Sequence, residues 1–223
     1  MNNKIFVACD TSSISTAKKI IKYKKTKKLK IGYKFGLEFF NSKNGRYFVS
    51  KLKKKIIFAD LKLNDIPNTC VSTIRALKDL NINYLTIHIS SGIEALKAIK
   101  KNSGKIKIVG VTTLTSLNNK NLKEIGHTKK IKNLVLHQAK LATKAKLDAL
   151  VCSAHEVKIV RKVFKKEIIT PGIRFNLNKN DQKRTMTPRE AFKNGSDCLV
   201  IGRPITKGNI NKNIKNLIDH LNK

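Results

Sequence analysis

Residues 55–69 read KIIFADLKLNDIPNT, and this stretch decides how the chain folds. Its hydrophobic beginning predicts a buried β-strand, which ends in the charged side chains Asp60, Lys62 and Asp65. Because side chains two positions apart on a strand point to the same face, Asp60 and Lys62 should project together. Pro67 then opens a helix with an apolar repeat. Ionised groups this close together are costly to desolvate unless they pair or take part in chemistry, so they mark a candidate site.

Strand and helix patterns alternate along the whole chain. Short apolar runs predict eight strands, at residues 5–9, 29–34, 56–62, 84–88, 106–112, 149–152, 168–171 and 198–201. Helical patterns lie at 15–22, 68–80, 93–101, 132–145, 155–164, 188–193 and 211–221. This alternation is typical of a parallel α/β sheet with crossover helices. Eight units favour one domain over residues 1–223, a single (β/α)8 TIM barrel, and an open doubly wound sheet is the alternative.

The chain is strongly basic. Its 223 residues include 48 Lys and Arg against 14 Asp and Glu, a net charge of +34. Such an excess raises nucleic acid or an anionic membrane as a partner. The lysines are, however, spread over nearly every segment, without interleaved aromatic residues on which bases could stack. No apolar run is long enough to span a bilayer, so we expect neither partner.

The spacing of the four cysteines indicates the cellular compartment of the protein and whether they could bind a metal. Cys9, Cys70, Cys152 and Cys198 form no Cys-x-x-Cys pair and have no metal-ligand spacing. They are typical of buried, reduced thiols in a cytoplasmic protein. The first residues run straight into a strand, so we expect no signal peptide.

Polar residues follow most of the predicted strands. In a (β/α)8 barrel the active site collects at the carboxyl ends of the strands. There the first three strands place an alternating acid–base set: Asp10, Lys34, Asp60, Lys62 and Asp65. His88 ends the fourth strand, where a hydrogen-bonded structural role is expected. These five acidic and basic residues therefore predict a single charged rim at the carboxyl end of the barrel.

The last two strands end in Gly172-Ile173-Arg174 and Gly202-Arg203. A glycine lets backbone N–H groups approach an oxyanion, and a guanidinium group suits phosphate. The loops after strands seven and eight are the usual phosphate grip of this fold. Residues 176–187, which follow strand seven, are polar and predict a mobile lid.

Together these segments resemble the orotidine 5′-phosphate decarboxylase family. Asp60-x-Lys62-x-x-Asp65-Ile66-Pro67-Asn68-Thr69 is similar to the family signature, although Asn64 stands where members often have His. Further similar segments follow in the family's order, at 6–10, 33–40, 111–116, 151–154, 170–174 and 201–206. The resemblance runs from about residue 5 to residue 220. The shorter Asp-x-Lys-x-x-Asp core is shared with sugar-phosphate enzymes of the same superfamily.

The resemblance implies a cofactor-free and metal-free decarboxylation of orotidine 5′-monophosphate to UMP, the last step of pyrimidine synthesis. Lys62 would protonate the C6 carbanion, with Asp60 as its electrostatic neighbour. Asp65 and Thr69 would reach into the partner subunit's site, which implies a homodimer with shared active sites.

The resemblance also implies the substrate contacts. Asp10 and Lys34 match the ribose side, and Thr115 and Ser116 match the pyrimidine side. The phosphate side is matched by Arg174, Gln182, Gly202 and Arg203, with Gln182 on the predicted lid.

Two alternatives stay open at this point. One is an enzyme of the same superfamily acting on a 3-keto sugar phosphate with Mg²⁺ held by the carboxylates. The other is a basic nucleic-acid-binding protein, which would bind with a steep salt dependence. The segments Pro67-Asn68-Thr69 and Leu114-Thr115-Ser116 favour the nucleotide decarboxylase over the first alternative.

Overall fold

The computed structural model describes residues 3–22, 28–175 and 185–222. Within these ranges eight parallel strands close into a barrel in chain order, and β8 pairs back onto β1. The strands are β1 (Lys4–Ala8), β2 (Lys30–Gly36), β3 (Ile57–Leu63), β4 (Tyr84–His88), β5 (Lys107–Val111), β6 (Ala149–Val151), β7 (Glu167–Thr170) and β8 (Cys198–Ile201). The predicted (β/α)8 barrel is confirmed, and the pairing of β8 with β1 rules out the open sheet.

Helices cover the outside of the barrel. Those described are α1 (Ile14–Ile21), α2 (Leu37–Phe40), α3 (Gly45–Ser50), α4 (Pro67–Ala76), α5 (Gly92–Asn102), α6 (Asn119–Glu124), α7 (Ile131–Lys144), α8 (Val157–Val163), α9 (Pro188–Lys193), α10 (Arg203–Thr206) and α11 (Ile210–Asn222). A short 3₁₀ turn, Ile89–Ser91, follows β4. Each predicted helix is present, whereas α2, α3, α6 and α10 were not predicted. None of the helices in the described ranges is long and apolar enough to cross a membrane.

One predicted helix ends early. The pattern at 68–80 continues through Leu80, but α4 stops at Ala76. Leu77 and Leu80 are still buried, and the N–H of Leu80 donates to the carbonyl of Leu77 at 3.0 Å, as in a tight turn. The apolar repeat therefore reflects burial beyond the end of the helix.

The interior of the barrel is filled. One buried cluster consists of Phe6, Phe58, Tyr84, Val109, Ala149, Ile169 and Cys198. The Phe6 and Phe58 rings lie 4.9 Å apart, and a Cβ at Gly32 would come within 2.6 Å of the Phe6 ring. A glycine is therefore needed beside Phe6. Because the middle of the barrel is packed, space for a ligand is left at its ends.

A polar network closes the amino-terminal end. The Lys4 ammonium donates to the Tyr84 hydroxyl at 2.7 Å, and that hydroxyl donates to Oε2 of Glu167 at 3.0 Å. Lys4 and Lys107 both form ion pairs with Glu167, and Lys107 Nζ lies 3.2 Å from Oε2 of Glu167. Burial opposes ionisation of Glu167, but the two lysines outweigh it and lower the pKa of the carboxyl. This end is thus occupied by its own ion pairs.

Most of the predicted lid, residues 176–187, lies outside the described residues. Its last part is fixed, because the N–H of Met186 donates to the carbonyl of Gly172 at 3.2 Å. Thr187 then caps α9 by accepting from the N–H of Glu190 at 3.3 Å. The lid itself stays a prediction.

Candidate active site

A cavity of about 430 Å³ opens at the carboxyl ends of the strands. It is lined by eight of the predicted site residues: Asp10, Lys34, Asp60, Lys62, Thr115, Arg174, Gly202 and Arg203. The barrel topology accounts for this convergence, since each strand delivers its last side chains to the same rim.

Lys34, Asp60 and Lys62 form the charged centre of the cavity. The ammonium of Lys34 lies 3.1 Å from Oδ1 of Asp10 and 3.3 Å from Oδ2 of Asp60. Lys62 Nζ lies 2.8 Å from the same Oδ2. The side chains of Lys34 and Asp60 are only 12% and 11% exposed, whereas Lys62 is 35% exposed. A buried carboxylate therefore lies between two ammonium groups, and Lys62 is open to a ligand.

The titration of these groups follows from their neighbours. Burial opposes the charge on Asp60, but Lys34 and Lys62 outweigh it and lower the pKa of the carboxyl. Burial likewise opposes the charge on Lys34, but Asp60 and Asp10 raise its pKa. Burial and then the Lys62 charge lower the pKa of His88, and Asp60 partly opposes them. Near neutral pH Asp60 and Lys34 are therefore both charged, and His88 is a neutral imidazole.

The backbone at Lys62 is unusual. Its φ of +48° lies in the left-handed region, which costs a non-glycine residue about 1–2 kcal/mol. The register of β3 against β4 shifts between Ala59 and Leu63, as in a β-bulge. The N–H of Lys62 donates to Oγ1 of Thr86 at 2.7 Å, and the Thr86 hydroxyl donates to Oδ1 of Asp60 at 3.1 Å. The hydrogen bond to Thr86 therefore stabilises the strained backbone conformation of Lys62.

Sequence reasoning missed Thr86. Its signal is a polar residue inside an apolar strand, two positions before His88 and therefore on the same face. Also missed were the residues that form the apolar part of the cavity wall: Phe58, Val111, Leu114, Val151, Cys152 and Val200. Inward alternation along the strands could have identified several of them.

The loop after β5 is held from outside the barrel. Gln138, a buried residue of α7, accepts from the N–H of Thr113 at 2.8 Å and from its hydroxyl at 3.1 Å. This places Leu114 and Thr115 on the cavity wall. Ser116, predicted beside Thr115, is exposed and is not part of the described lining.

Three of the four predicted phosphate residues, Arg174, Gly202 and Arg203, line the cavity on the side of β7 and β8. In an eight-stranded ring β7 is four places from β3, so the two strands face each other. Gly172 has a φ of +77°, which favours glycine, and Gly172 and Arg174 line the cavity with Gly202 and Arg203. The N–H of Arg174 donates to the carbonyl of Met186 at 3.1 Å. Gln182 lies outside the described residues.

Asp65 and Thr69 do not reach this cavity. Both are exposed, at the beginning of α4. Oδ1 of Asp65 accepts from the N–H of Ile66 at 2.7 Å, and Ile66 is itself 65% exposed. Within one chain these two residues are outside the candidate site.

The fold and the charged cavity at the carboxyl ends of the strands are typical of a (β/α)8-barrel enzyme. The chain matches the orotidine 5′-phosphate decarboxylase / HUMPS family over residues 3–213. It is 45% identical to orotidine 5′-phosphate decarboxylase of Wolbachia sp. subsp. Brugia malayi, with 97% of each chain covered. It is 40% identical to the Coxiella burnetii enzyme of that name, covering 92% of this chain and 90% of the relative. The chain belongs to the orotidine 5′-phosphate decarboxylase family.

Solved structures support the same fold. Orotidine 5′-phosphate decarboxylase from Lactobacillus acidophilus has a TM-score of 0.84 and 29% identity, with all of both chains covered. The Methanocaldococcus jannaschii enzyme, solved with the inhibitor BMP, has a TM-score of 0.79 at 20% identity and full coverage of both chains, which supports the fold.

Proposed function

We propose that this enzyme removes CO₂ from orotidine 5′-monophosphate without a cofactor, and that Lys62 supplies the proton that replaces it. The family relationship makes the chain a carboxy-lyase of pyrimidine biosynthesis. The observation that carries the mechanism is the Lys62 ammonium, 2.8 Å from Asp60 and open to the cavity, with the paired Gly–Arg segments on the opposite wall.

The chemistry requires a fixed cation. When the bond from C6 to the carboxylate breaks, its electron pair stays on C6, where no neighbouring carbonyl group can delocalise it. An ammonium group at C6 stabilises the developing charge and then donates its proton there. CO₂ and UMP leave, and the neutral amine takes a proton from water. Lys62, which lines the cavity and is its more exposed lysine, is the cation proposed for both steps.

Asp60 would act on both partners of this step. Its carboxylate holds the Lys62 ammonium at 2.8 Å, which orients the proton. Its charge also disfavours the substrate carboxylate more than the transition state, in which negative charge has moved towards Lys62. Both effects need an ionised Asp60, which its lowered pKa provides.

The remaining contacts would bind the nucleotide at a distance from C6. Asp10 and Lys34 would bind the ribose, and Thr115 and Ser116 the pyrimidine. The phosphate would be held by Arg174, Gln182, Gly202 and Arg203. Binding energy from the remote phosphate can then orient the base against Lys62, which raises the rate of the chemical step.

The position of Lys34 supports chemistry without a metal. Its ammonium lies within 3.3 Å of both Asp10 and Asp60, where a cation bound by the two carboxylates would otherwise lie. Among the described residues, no group of three or more His, Cys, Asp and Glu side chains could hold a metal ion.

The assembly, the domain organisation and the location of the enzyme also belong to the proposal. A homodimer with shared sites, formed from single-domain subunits in the cytoplasm, would bring Asp65 and Thr69 to the partner's cavity. The exposure of both residues at the start of α4, beside the exposed Ile66, supports this arrangement.

The test is an assay of purified protein with orotidine 5′-monophosphate, with and without EDTA. We expect UMP formation that EDTA does not change, and a loss of at least about 10³-fold in Lys62→Ala, since general acid catalysis and charge stabilisation are both removed. Lys97→Ala is the control, because Lys97 is an exposed lysine paired with Glu94. Full activity in Lys62→Ala would refute the mechanism, and loss of turnover on EDTA treatment would contradict metal-free chemistry. No turnover of orotidine 5′-monophosphate at all would favour the Mg²⁺-dependent sugar-phosphate alternative.

A further inference from the structure

We infer that Thr86 is a positioning residue of the reaction, and that its hydroxyl group fixes the Asp60 carboxylate and the Lys62 backbone relative to each other. The inference rests on the proposed roles of Asp60 and Lys62. Thr86 does not line the cavity, so it acts through these two residues.

The hydroxyl joins the two residues directly. It donates to Oδ1 of Asp60 at 3.1 Å and accepts from the N–H of Lys62 at 2.7 Å. Thr86 is fully buried, so water cannot replace either bond. Oδ2 of Asp60 is left for the two ammonium groups, those of Lys34 and Lys62. One hydroxyl thus fixes the orientation of the carboxylate group, whose other oxygen faces the lysines.

The strand register explains why a side chain is needed here. Ala59 pairs with Leu85, and the next pair is Leu63 with Ile87. Among the described strand residues, Thr86 therefore stands alone on β4 opposite three residues of β3. A regular ladder would offer a backbone carbonyl to the N–H of Lys62, but the bulge offers Oγ1 of Thr86 instead.

Without the Thr86 hydroxyl, the bulge in β3 would lose a hydrogen bond that stabilises it. The N–H of Lys62 would be buried without its acceptor, and a residue at a φ of +48° would lose a contact that holds it there. The Lys62 ammonium would then shift relative to C6. Because small misplacements of a reacting group slow the chemical step, the effect should fall on kcat.

The sharpest comparison is between Thr86→Ser and Thr86→Ala, which differ by one oxygen atom. We expect the serine variant to keep kcat within about threefold of the wild type. We expect the alanine variant to lose about 10- to 100-fold in kcat with KM changed by less than about threefold, since the phosphate contacts across the cavity are untouched. Thr86→Val, which keeps the shape without the hydroxyl, should resemble the alanine variant if it folds.

Thr170→Ala is the matched control. Thr170 is also a fully buried strand threonine, and its hydroxyl lies 2.7 Å from that of Ser196, away from the charged centre. We expect it to lower stability in urea denaturation by an amount similar to Thr86→Ala while leaving kcat unchanged.

Wild-type turnover of orotidine 5′-monophosphate is measured first, so that a failure of the proposed function is seen before the variants are compared. If the wild type is inactive, both proposals fall. If it is active, the inference is overturned when Thr86→Ala keeps the kcat of Thr86→Ser, when both lose kcat equally, when KM alone rises, or when Thr170→Ala loses as much kcat.

Discussion

Lys34 is the residue on which the charge balance of the site depends. Its buried ammonium contacts Asp10 and Asp60 together, and these carboxylates raise its pKa against the effect of burial. In return, Lys34 and Lys62 together lower the pKa of Asp60 against the effect of burial, and the charge of Lys34 has the larger Coulombic effect of the two. The ionised form of Asp60 therefore depends in part on a lysine to which the proposal gives no role in proton transfer.

Replacing Lys34 by methionine should move the acid limb of the pH–rate profile. Asp60 would lose one of its two cationic neighbours, so its pKa would rise, and kcat/KM would begin to fall at a higher pH as the solution is acidified. The measurement is kcat/KM as a function of pH in both proteins. Lys100→Met is the control, because Lys100 pairs with Asp148 on the outside of the barrel. An acid limb that stays in place would show that Lys34 does not set the ionisation of Asp60.

The sequence predicted part of this centre correctly. The two-residue spacing of Asp60 and Lys62 predicted that their side chains project together, and their contact at 2.8 Å confirms it. It did not predict Thr86, because the role of Thr86 depends on a bulge in β3 that no local pattern reveals. Similarly, Ser116 follows Thr115 in a matching segment, yet only Thr115 lines the cavity.

At the level of elements, apolar runs predicted all eight strands because a strand buried on both faces is hydrophobic throughout. The four helices that were missed are short, between four and six residues each. One of them, α3, begins after Asn44 at a φ of +66°, with no side-chain cap. Helices this short depend on tertiary contacts more than on their own sequence signals.

A glycine determines how β2 fits against β1. A Cβ at Gly32 would lie 2.6 Å from the Phe6 ring and 3.1 Å from the carbonyl oxygen of Ile56. Gly32→Ala should therefore destabilise the fold by about 1–3 kcal/mol through overpacking. The measurement is urea unfolding of the single variant.

The double variant Gly32→Ala, Phe6→Leu provides the control. The smaller leucine should make room for the new methyl group, so the two changes should cost less together than the sum of their separate effects. Additive losses would mean that the Phe6 contact is not the cause.

At the level of the whole molecule, the closed barrel was predictable because eight strand–helix units leave few other arrangements. The assembly was not predictable from spacing alone. Asp65 and Thr69 belong to the family signature, yet they lie outside the cavity of their own chain. Their role in the proposal depends on a second subunit.

Mixed dimers test that role. Lys62→Ala and Asp65→Ala should each be inactive alone. In a homodimer with shared sites, random mixing makes about half of the dimers hybrid, each with one intact site of two, so activity should return to about one quarter of the wild type. The activity is measured after the two variants are produced together.

A second mixture tests whether the recovered activity comes from active sites that the two subunits share. Lys62→Ala mixed with Asp60→Asn should stay inactive, because both residues line the cavity of one chain and no hybrid contains an intact site. Recovery in this mixture, or no recovery in the first, would contradict a site shared in this way.

The packed interior of the barrel has an evolutionary consequence. The buried Phe6, Phe58 and Ile169 separate the ion pairs around Glu167 from the charged centre around Asp60. Substitutions at one end can therefore be selected with little effect on the other. In a chain of net charge +34, a change of charge at the closed end of the barrel can therefore leave the chemistry of the rim in place.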